Sequence, residues 1–164
     1  MKDGVLIADT AFKVASATLR SAGYGELLEA EPLKSFRLVF RTPTYLSSMG
    51  SRYEALYPEP VQVFSNLMRV WDAFSDSRVF GEEGLAAYKE WLRIHIGVSA
   101  YILETRLAEM GKKKAVGFTG WVEYEMDAQD DWNRVTVALA RFAEYSNIGG
   151  NRTGGFGVTK FVDN

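Results

Sequence analysis

Apolar and polar positions alternate most regularly over residues 35–42, where Phe36, Leu38 and Phe40 are set against Arg37, Val39 and Arg41. That period of two predicts a half-buried strand, and Pro43 is expected to end it. Residues 60–74 switch to a helical period, with Val61, Phe64, Leu67, Met68, Trp71 and Phe74 on one face and Pro60 at the start, where a missing N–H does no harm. Residues 82–94 repeat the pattern through Leu85, Tyr88, Trp91 and Leu92, and Gly97 is expected to close that helix. Residues 98–110 and 114–126 read as two strands joined by a hairpin turn over residues 111–114. Asp130 and Asp131 open a further helix whose apolar face carries Trp132, Val135, Leu139, Phe142 and Ala143. A glycine-rich loop follows, and residues 156–162 form the last strand.

The amino end is less regular. Residues 5–19 read as one or two short strands or a connecting ribbon, and residues 21–29 as a turn with one short helical piece ending near Pro32. With that lead-in and the middle helix set aside, the order is strand, helix, strand, strand, helix, strand. This is the split βαβ, or ferredoxin-like, arrangement: α+β, with an antiparallel four-stranded sheet and two helices on one face.

At 164 residues, with 47% hydrophobic and 13% aromatic content, the chain can bury one core, so one domain is the default. The absence of cysteine excludes disulfides, thiolate metal ligands and a cysteine nucleophile, and makes a reducing cytoplasm the simplest expected location. No stretch reaches the roughly 18 apolar residues of a membrane span. The first residues lack the basic start and apolar run of a signal peptide. A net charge of −2 argues against a surface that is basic all over, so any binding to nucleic acid must use a local patch.

The strongest candidate for such a patch is the tail, residues 147–162, where five glycines surround Arg152. Asn147-Ile148-Gly149 and Gly155-Phe156-Gly157 form two small-apolar-small triplets on either side of it. Glycine lets a ligand approach the backbone closely, and a run of N–H groups suits phosphate. In phosphate loops and dinucleotide fingerprints, however, the glycines follow a strand and precede a helix. Here they follow a helix, whose carboxyl end repels anions. Attraction must come from loop amides, Arg152 and Lys160; the competing reading is a turn that merely lets the last strand pack.

Other constellations carry less. His95, the single histidine, lies among Ile94, Ile96 and Val98 and reads first as packing or capping. One histidine without cysteine offers no zinc cluster. Asp127, Asp130 and Asp131 read as helix-start chemistry rather than a magnesium site. No GxSxG elbow surrounds any serine. Lys112, Lys113 and Lys114 form a charged turn that could also track a phosphate backbone.

Several of these landmarks together resemble the CRISPR-associated endoribonucleases that cut precursor CRISPR RNA, a branch of the repeat-associated mysterious protein (RAMP) superfamily. Phe40-Arg41-Thr42-Pro43-Thr44 resembles the first strand of that family's carboxyl-terminal domain, and the run from Pro58 to Leu67, PEPVQVFSNL, resembles its following helix. Val116-Gly117-Phe118-Thr119-Gly120-Trp121-Val122 resembles its glycine-aromatic strand, and the tail from Tyr145 to Gly157 its signature loop, with a basic residue in the middle. Asn147 stands where the family usually has glycine; asparagine tolerates left-handed backbone better than most residues. The resemblance spans residues 27–162.

What it implies is an RRM-like RAMP domain over residues 35–164, preceded by a lead-in over residues 1–34 from an amino-terminal domain that usually carries the general-base histidine. The implied activity is metal-independent attack of a ribose 2′-hydroxyl on the adjacent phosphate within CRISPR repeats, with no cofactor. The implied partner is CRISPR repeat RNA, with other CRISPR effector subunits beside it, and neither DNA nor membrane is required. The expected RNA contacts are Asn147, Gly149, Gly150, Asn151, Arg152, Thr153, Gly155, Gly157 and Lys160, with Lys112, Lys113 and Lys114 as a second contact. No catalytic residue is assigned, because His95 matches no family position. Two rival readings stay open: a non-catalytic RAMP scaffold that holds guide RNA, and a ferredoxin-like ligand-binding or oligomerisation domain in which the loop only packs.

Overall fold

A computed structural model describes residues 4–7, 10–16, 18–47, 53–76, 82–110 and 113–163. In chain order the elements are β1 (Gly4–Ile7), β2 (Thr10–Lys13), α1 (Tyr24–Leu28), β3 (Ser35–Thr44), β4 (Leu46–Ser47), β5 (Glu54–Ala55), α2 (Pro60–Phe74), α3 (Glu82–His95), β6 (Ile96–Met110), β7 (Lys113–Met126), α4 (Asp131–Ser146) and β8 (Thr159–Asp163). The main sheet has the order β6-β7-β3-β8 with every pair antiparallel. β3 and β7 therefore fill its centre. That is the expected ferredoxin-like order, with α3 inserted after the first of its helices.

Pairing register explains which side chains are buried. Phe36, Leu38 and Phe40 stand opposite Tyr124, Val122 and Gly120 on β7, and opposite Asp163, Phe161 and Thr159 on β8. Directly paired residues share a face. This face packs on α2 and α4, and Phe36, Leu38, Val122 and Tyr124 are fully buried there. Edge-to-face and tilted rings knit the layers: Phe36 to Phe64 at 6.1 Å, Phe64 to Tyr124 at 5.4 Å, and Trp71 to Phe142 at 5.1 Å. Such pairs add about 0.5–1.5 kcal/mol each beyond the area they bury.

The helices begin where the sequence allows. Glu59 caps α2 by accepting from the amides of Val61 and Gln62 at 3.1 and 2.8 Å, with Pro60 in the first turn. Asp130 caps α4 by accepting from Asn133 N at 3.0 Å, and its other oxygen accepts from Trp91 Nε1 at 2.8 Å, which ties α3 to the start of α4. The Tyr88 hydroxyl meets Thr136 Oγ1 at 2.8 Å, and the Tyr88 ring stacks on Trp132 at 5.3 Å. The lead-in joins the same core: Leu27 and Ala30 are buried, and the buried Asn133 side chain bonds the Leu33 amide and carbonyl at 3.0 and 2.8 Å.

Four sequence expectations are corrected. Pro43 does not end the strand, because β3 runs on to Thr44. Between Phe40 and Thr44 the partners on β7 advance only from Gly120 to Phe118, so β3 bulges there, and a bulge is where a proline can stay in a central strand. Gly97 does not close α3; the helix ends at His95, and Gly97 already pairs with Glu125 inside β6. The last strand starts at Thr159 rather than at 156, because Gly157 takes φ +73° in the preceding turn. Phe74, expected on the apolar face of α2, is exposed at that helix's last position.

Candidate functional site

The loop between α4 and β8 is held by hydrogen bonds along most of its length. α4 ends at Ser146 and is capped by Asn147, whose φ of +58° and ψ of 168° lie outside the left-handed helical region, in a conformation that favours glycine, and whose amide returns to Ala143 O at 3.1 Å. The Gly149 amide donates to Asn66 Oδ1 on α2 at 3.0 Å, and the Gly150 amide to Tyr45 O at 3.2 Å. Ile148 N donates to Gly157 O at 2.9 Å, and Gly157 N to Pro43 O at 3.1 Å, so the two triplets close on each other and on the β3 bulge. Ile148 and Phe156 are buried, the latter edge-on to Tyr45 at 5.7 Å. A Cβ on Gly149 would overlap the Tyr45 carbonyl oxygen, and one on Gly157 the Ile148 carbonyl oxygen. These glycines are needed for packing as such.

The amides of Asn147, Gly149, Gly150, Gly155 and Gly157 are therefore spent inside the protein, Gly155 N on Arg152 O at 3.0 Å. What the loop presents outward is its crest. Residues Arg152–Gly154 form a 3₁₀ turn entered through Asn151 at φ +51°. In such a turn the first amides, those of Arg152 and Thr153, have no preceding carbonyl within the turn to bond. Asn151 and Thr153 are exposed and Arg152 half-buried.

Beside the loop lies a groove of about 370 Å³ lined by Arg20, Arg41 and Lys160, with Glu144, Tyr145 and the Val158–Thr159 backbone region as its remaining wall. The sheet register makes it: Lys160 pairs with Val39, so it shares the helix-free face with Arg41, two positions along β3. Arg41 N donates to Val158 O at 2.8 Å, which pins the loop's exit to that strand. Glu144 accepts from Phe161 N at 3.2 Å. Among the described residues Arg41, Arg152 and Lys160 enter no ion pair. A groove with three cations and one carboxylate suits a polyanion.

Arg41 and Arg20 were not singled out from the sequence, although alternation along β3 had already put Arg37, Val39 and Arg41 on one face. Arg37 differs from Arg41: it pairs with Glu123 at 2.8 Å and stacks over Trp121 at 4.1 Å. The lysine hairpin lies at the same end of the sheet as the loop, beyond Thr44 and Phe118, and Lys114 lines one cavity with Tyr45, whose ring packs on Gly150 and Phe156. Lys112 lies outside the described residues, Lys113 is described through its backbone alone, and Lys114 pairs with Glu109 at 2.9 Å. His95 bonds Asp127 through Nδ1 at 2.8 Å at the start of β6, the edge strand opposite β8. Among the described residues no group of His, Asp or Glu is arranged to hold a metal ion, and no helix is long and apolar enough to cross a membrane.

The family model for the CRISPR-associated endoribonuclease Cas6 matches residues 38–159. Among solved structures, Thermus thermophilus Cas6 (TTHB231) superposes with a TM-score of 0.78 at 23% identity, over 86% of this chain and 58% of its own. The Cas6 (TTHA0078) product complex superposes with a TM-score of 0.80 at 23% identity, over 98% of this chain and 66% of its own. A chain of a partial Cas6-RT-Cas1–Cas2 complex gives 0.53 at 13% identity, over 82% and 23%. At these identities the likeness establishes the shared fold, and the chain spans a little over half the length of the first of these relatives. No curated protein sequence matches the chain.

Proposed function

Since the chain belongs to the CRISPR-associated endoribonuclease Cas6 family, we propose that it is an RNA-gripping domain in the processing of precursor CRISPR RNA. The observation that carries this reading is the placement of Arg20, Arg41 and Lys160 in one groove beside the end of the glycine-rich loop, with Arg152 in the outer turn of the same loop. Guanidinium and ammonium groups on a rigid sheet and a tightly bonded loop can hold successive phosphates without reorganising, and positioning of this kind supplies much of the catalysis when an RNA's own 2′-hydroxyl is the nucleophile.

In this reading the loop's inner amides hold its shape and its crest meets RNA. The contacts are Arg152, the amides of Arg152 and Thr153, Lys160 and Arg41, and the Lys114 hairpin is a lesser one because its lysine is shared with Glu109. The reaction assigned to the whole protein is attack of the 2′-hydroxyl oxygen on the adjacent phosphorus with departure of the 5′-oxygen, leaving a cyclic phosphate and a 5′-hydroxyl. It consumes no metal and no cofactor. The general base comes from outside the groove; His95 sits across the sheet from it and is assigned no role in the chemistry. The domain works in the cytoplasm on CRISPR repeat RNA.

The test is RNA binding by variants Arg152→Ala, Arg41→Ala and Lys160→Ala across a salt series. Each should weaken binding at low salt and flatten the plot of log affinity against log salt by about 0.7 for every phosphate of a single strand that is no longer neutralised. Variants that bind with unchanged affinity and slope would instead support a loop that only packs.

A further inference from the structure

The glycine-rich loop borders a second basic groove, on the helical side of the sheet. This cavity, of about 380 Å³, lies where α2 and α3 meet the backbone of Gly149 and Gly150. Three cations line it, Arg69 from α2 and Lys89 and Arg93 from α3, and its described lining includes no carboxylate. In a chain with 21 acidic and 19 basic residues such a one-signed patch is not the average surface. Helical spacing makes it: Gln62, Ser65 and Arg69 share one stripe of α2, and Lys89 and Arg93 stand one turn apart on α3.

Two further details point to a polar, anionic occupant. Arg69 is fixed by donation from Nε to Ser65 O at 3.2 Å, which leaves its terminal nitrogens for another partner. Along the groove's α2 wall, Ser65 Oγ is buried without a hydrogen-bond partner among the described residues and can donate to a phosphate oxygen, while the equally unpartnered Gln62 Oε1 accepts only and suits a donor such as a ribose hydroxyl of the same strand. Arg93 does have a partner, Glu90 at 2.9 Å, but their side chains are 57% and 64% exposed, so exchanging that carboxylate for a phosphate costs little.

The two grooves are joined by the loop itself. Its first half, Gly149 and Gly150, edges the helical groove; its far end, Val158 to Lys160, edges the groove of Arg20 and Arg41; Arg152 lies between them along the chain. We propose that one RNA strand crosses the loop from groove to groove, so that α3, the helix inserted into the ferredoxin-like order, supplies a second phosphate clamp through Lys89 and Arg93, with Arg69 opposite. This rests on the proposed RNA-binding function and extends its footprint to the helical face. A strand is favoured over a small anion because two basic grooves of similar size flank one loop that carries a cation on its crest.

The experiment measures binding of a fluorescein-labelled oligouridylate of about 20 nucleotides, longer than the roughly 4–16 nucleotides that a single nucleic-acid-binding groove covers. Binding is followed by anisotropy over a KCl series, with the 164-residue chain, its Lys89→Ala/Arg93→Ala variant and its Arg41→Ala/Lys160→Ala variant. Both substituted pairs are surface residues, and circular dichroism confirms that each variant is folded. The expected result is a loss of about five- to tenfold in affinity at moderate salt for either variant, each with a slope shallower by about 1.4, two phosphates' worth. With 4-thiouridine in the oligonucleotide, cross-links should fall on the α3 peptide containing Lys89 as well as on the loop. If the Lys89/Arg93 variant binds like the parent while the Arg41/Lys160 variant loses affinity, the strand uses one groove and the inference fails with the proposed function intact. If neither variant differs from the parent, or the parent does not bind, both fail.

Discussion

Gly155 and Gly157 provide a paired perturbation of the loop, because both have positive φ, +82° and +73°, while their surroundings differ. A Cβ on Gly155 would meet nothing within 4 Å, whereas one on Gly157 would overlap the Ile148 carbonyl oxygen. Gly155→Ala therefore carries only the left-handed penalty for an L-residue, about 1–2 kcal/mol. Gly157→Ala carries the same penalty and must also push the two sides of the loop, at residues 148 and 157, apart. That move breaks the bonds from Ile148 N to Gly157 O at 2.9 Å and from Gly157 N to Pro43 O at 3.1 Å. At a net of about 0.5–1.5 kcal/mol per bond the total becomes about 2–5 kcal/mol. Against a typical stability of about 5–15 kcal/mol this is a large fraction. Urea unfolding followed by tryptophan fluorescence reads it directly: for a slope near 2 kcal/mol per molar, the midpoint should fall by about 0.5–1 M for Gly155→Ala and by about 1–2.5 M for Gly157→Ala. Equal shifts, or a larger one for Gly155→Ala, would refute the argument that packing at Gly157 shapes the loop.

Asn133→Ala should destabilise by about 2–4 kcal/mol, because it strands the Leu33 amide and carbonyl and the Ala128 carbonyl, which the buried side chain now satisfies at 3.0, 2.8 and 2.7 Å; the same urea assay checks it. Asn66→Ala should cost about 1–3 kcal/mol by leaving the Gly149 amide without its acceptor, and should weaken RNA binding through the loop although residue 66 itself need touch no RNA. Burial pushes the hydroxyls of Tyr88 and Tyr124 well above the ordinary phenol value. Above about pH 10 the unfolded chain releases those protons and the folded one keeps them, so stability is level below that pH and falls as pH rises beyond it. Urea midpoints at alkaline pH, with an ultraviolet tyrosinate titration showing late-ionising phenols, check the sign.

Strong periodicity made the fold legible. Alternation over 35–42 and the helical stripes of residues 60–74 and 131–143 survive folding because each marks a face that must be buried, and their order fixes the sheet order. Pro43 misled because a one-dimensional pattern contains no bulge, and the bulge exists only through the partners on β7 and the loop that leans on the Pro43 carbonyl. Gly97 misled because the helix runs straight into a strand without a left-handed cap. The loop was found from its glycines, but their role divided in a way composition could not show: the inner amides bond to Asn66, Tyr45 and Pro43, all distant in sequence, and only the turn at Arg152 faces outward. Arg41 and Lys160 lie far apart in the chain and meet only through the pairing of β3 with β8. Arg69, Lys89 and Arg93 likewise needed the packing of α3 on α2 before they formed a group.

The most direct measurement is a ¹⁵N–¹H correlation spectrum of the 18.4 kDa chain titrated with oligouridylate, which maps contact residue by residue. The largest shifts are expected at the amides of Arg152 and Thr153 and at residues 158–160, with smaller ones at Gly149, Gly150 and around Lys89. Shifts confined to the β1–β2 ribbon or to the region of His95 and Asp127, with the glycine-rich loop unmoved, would contradict it.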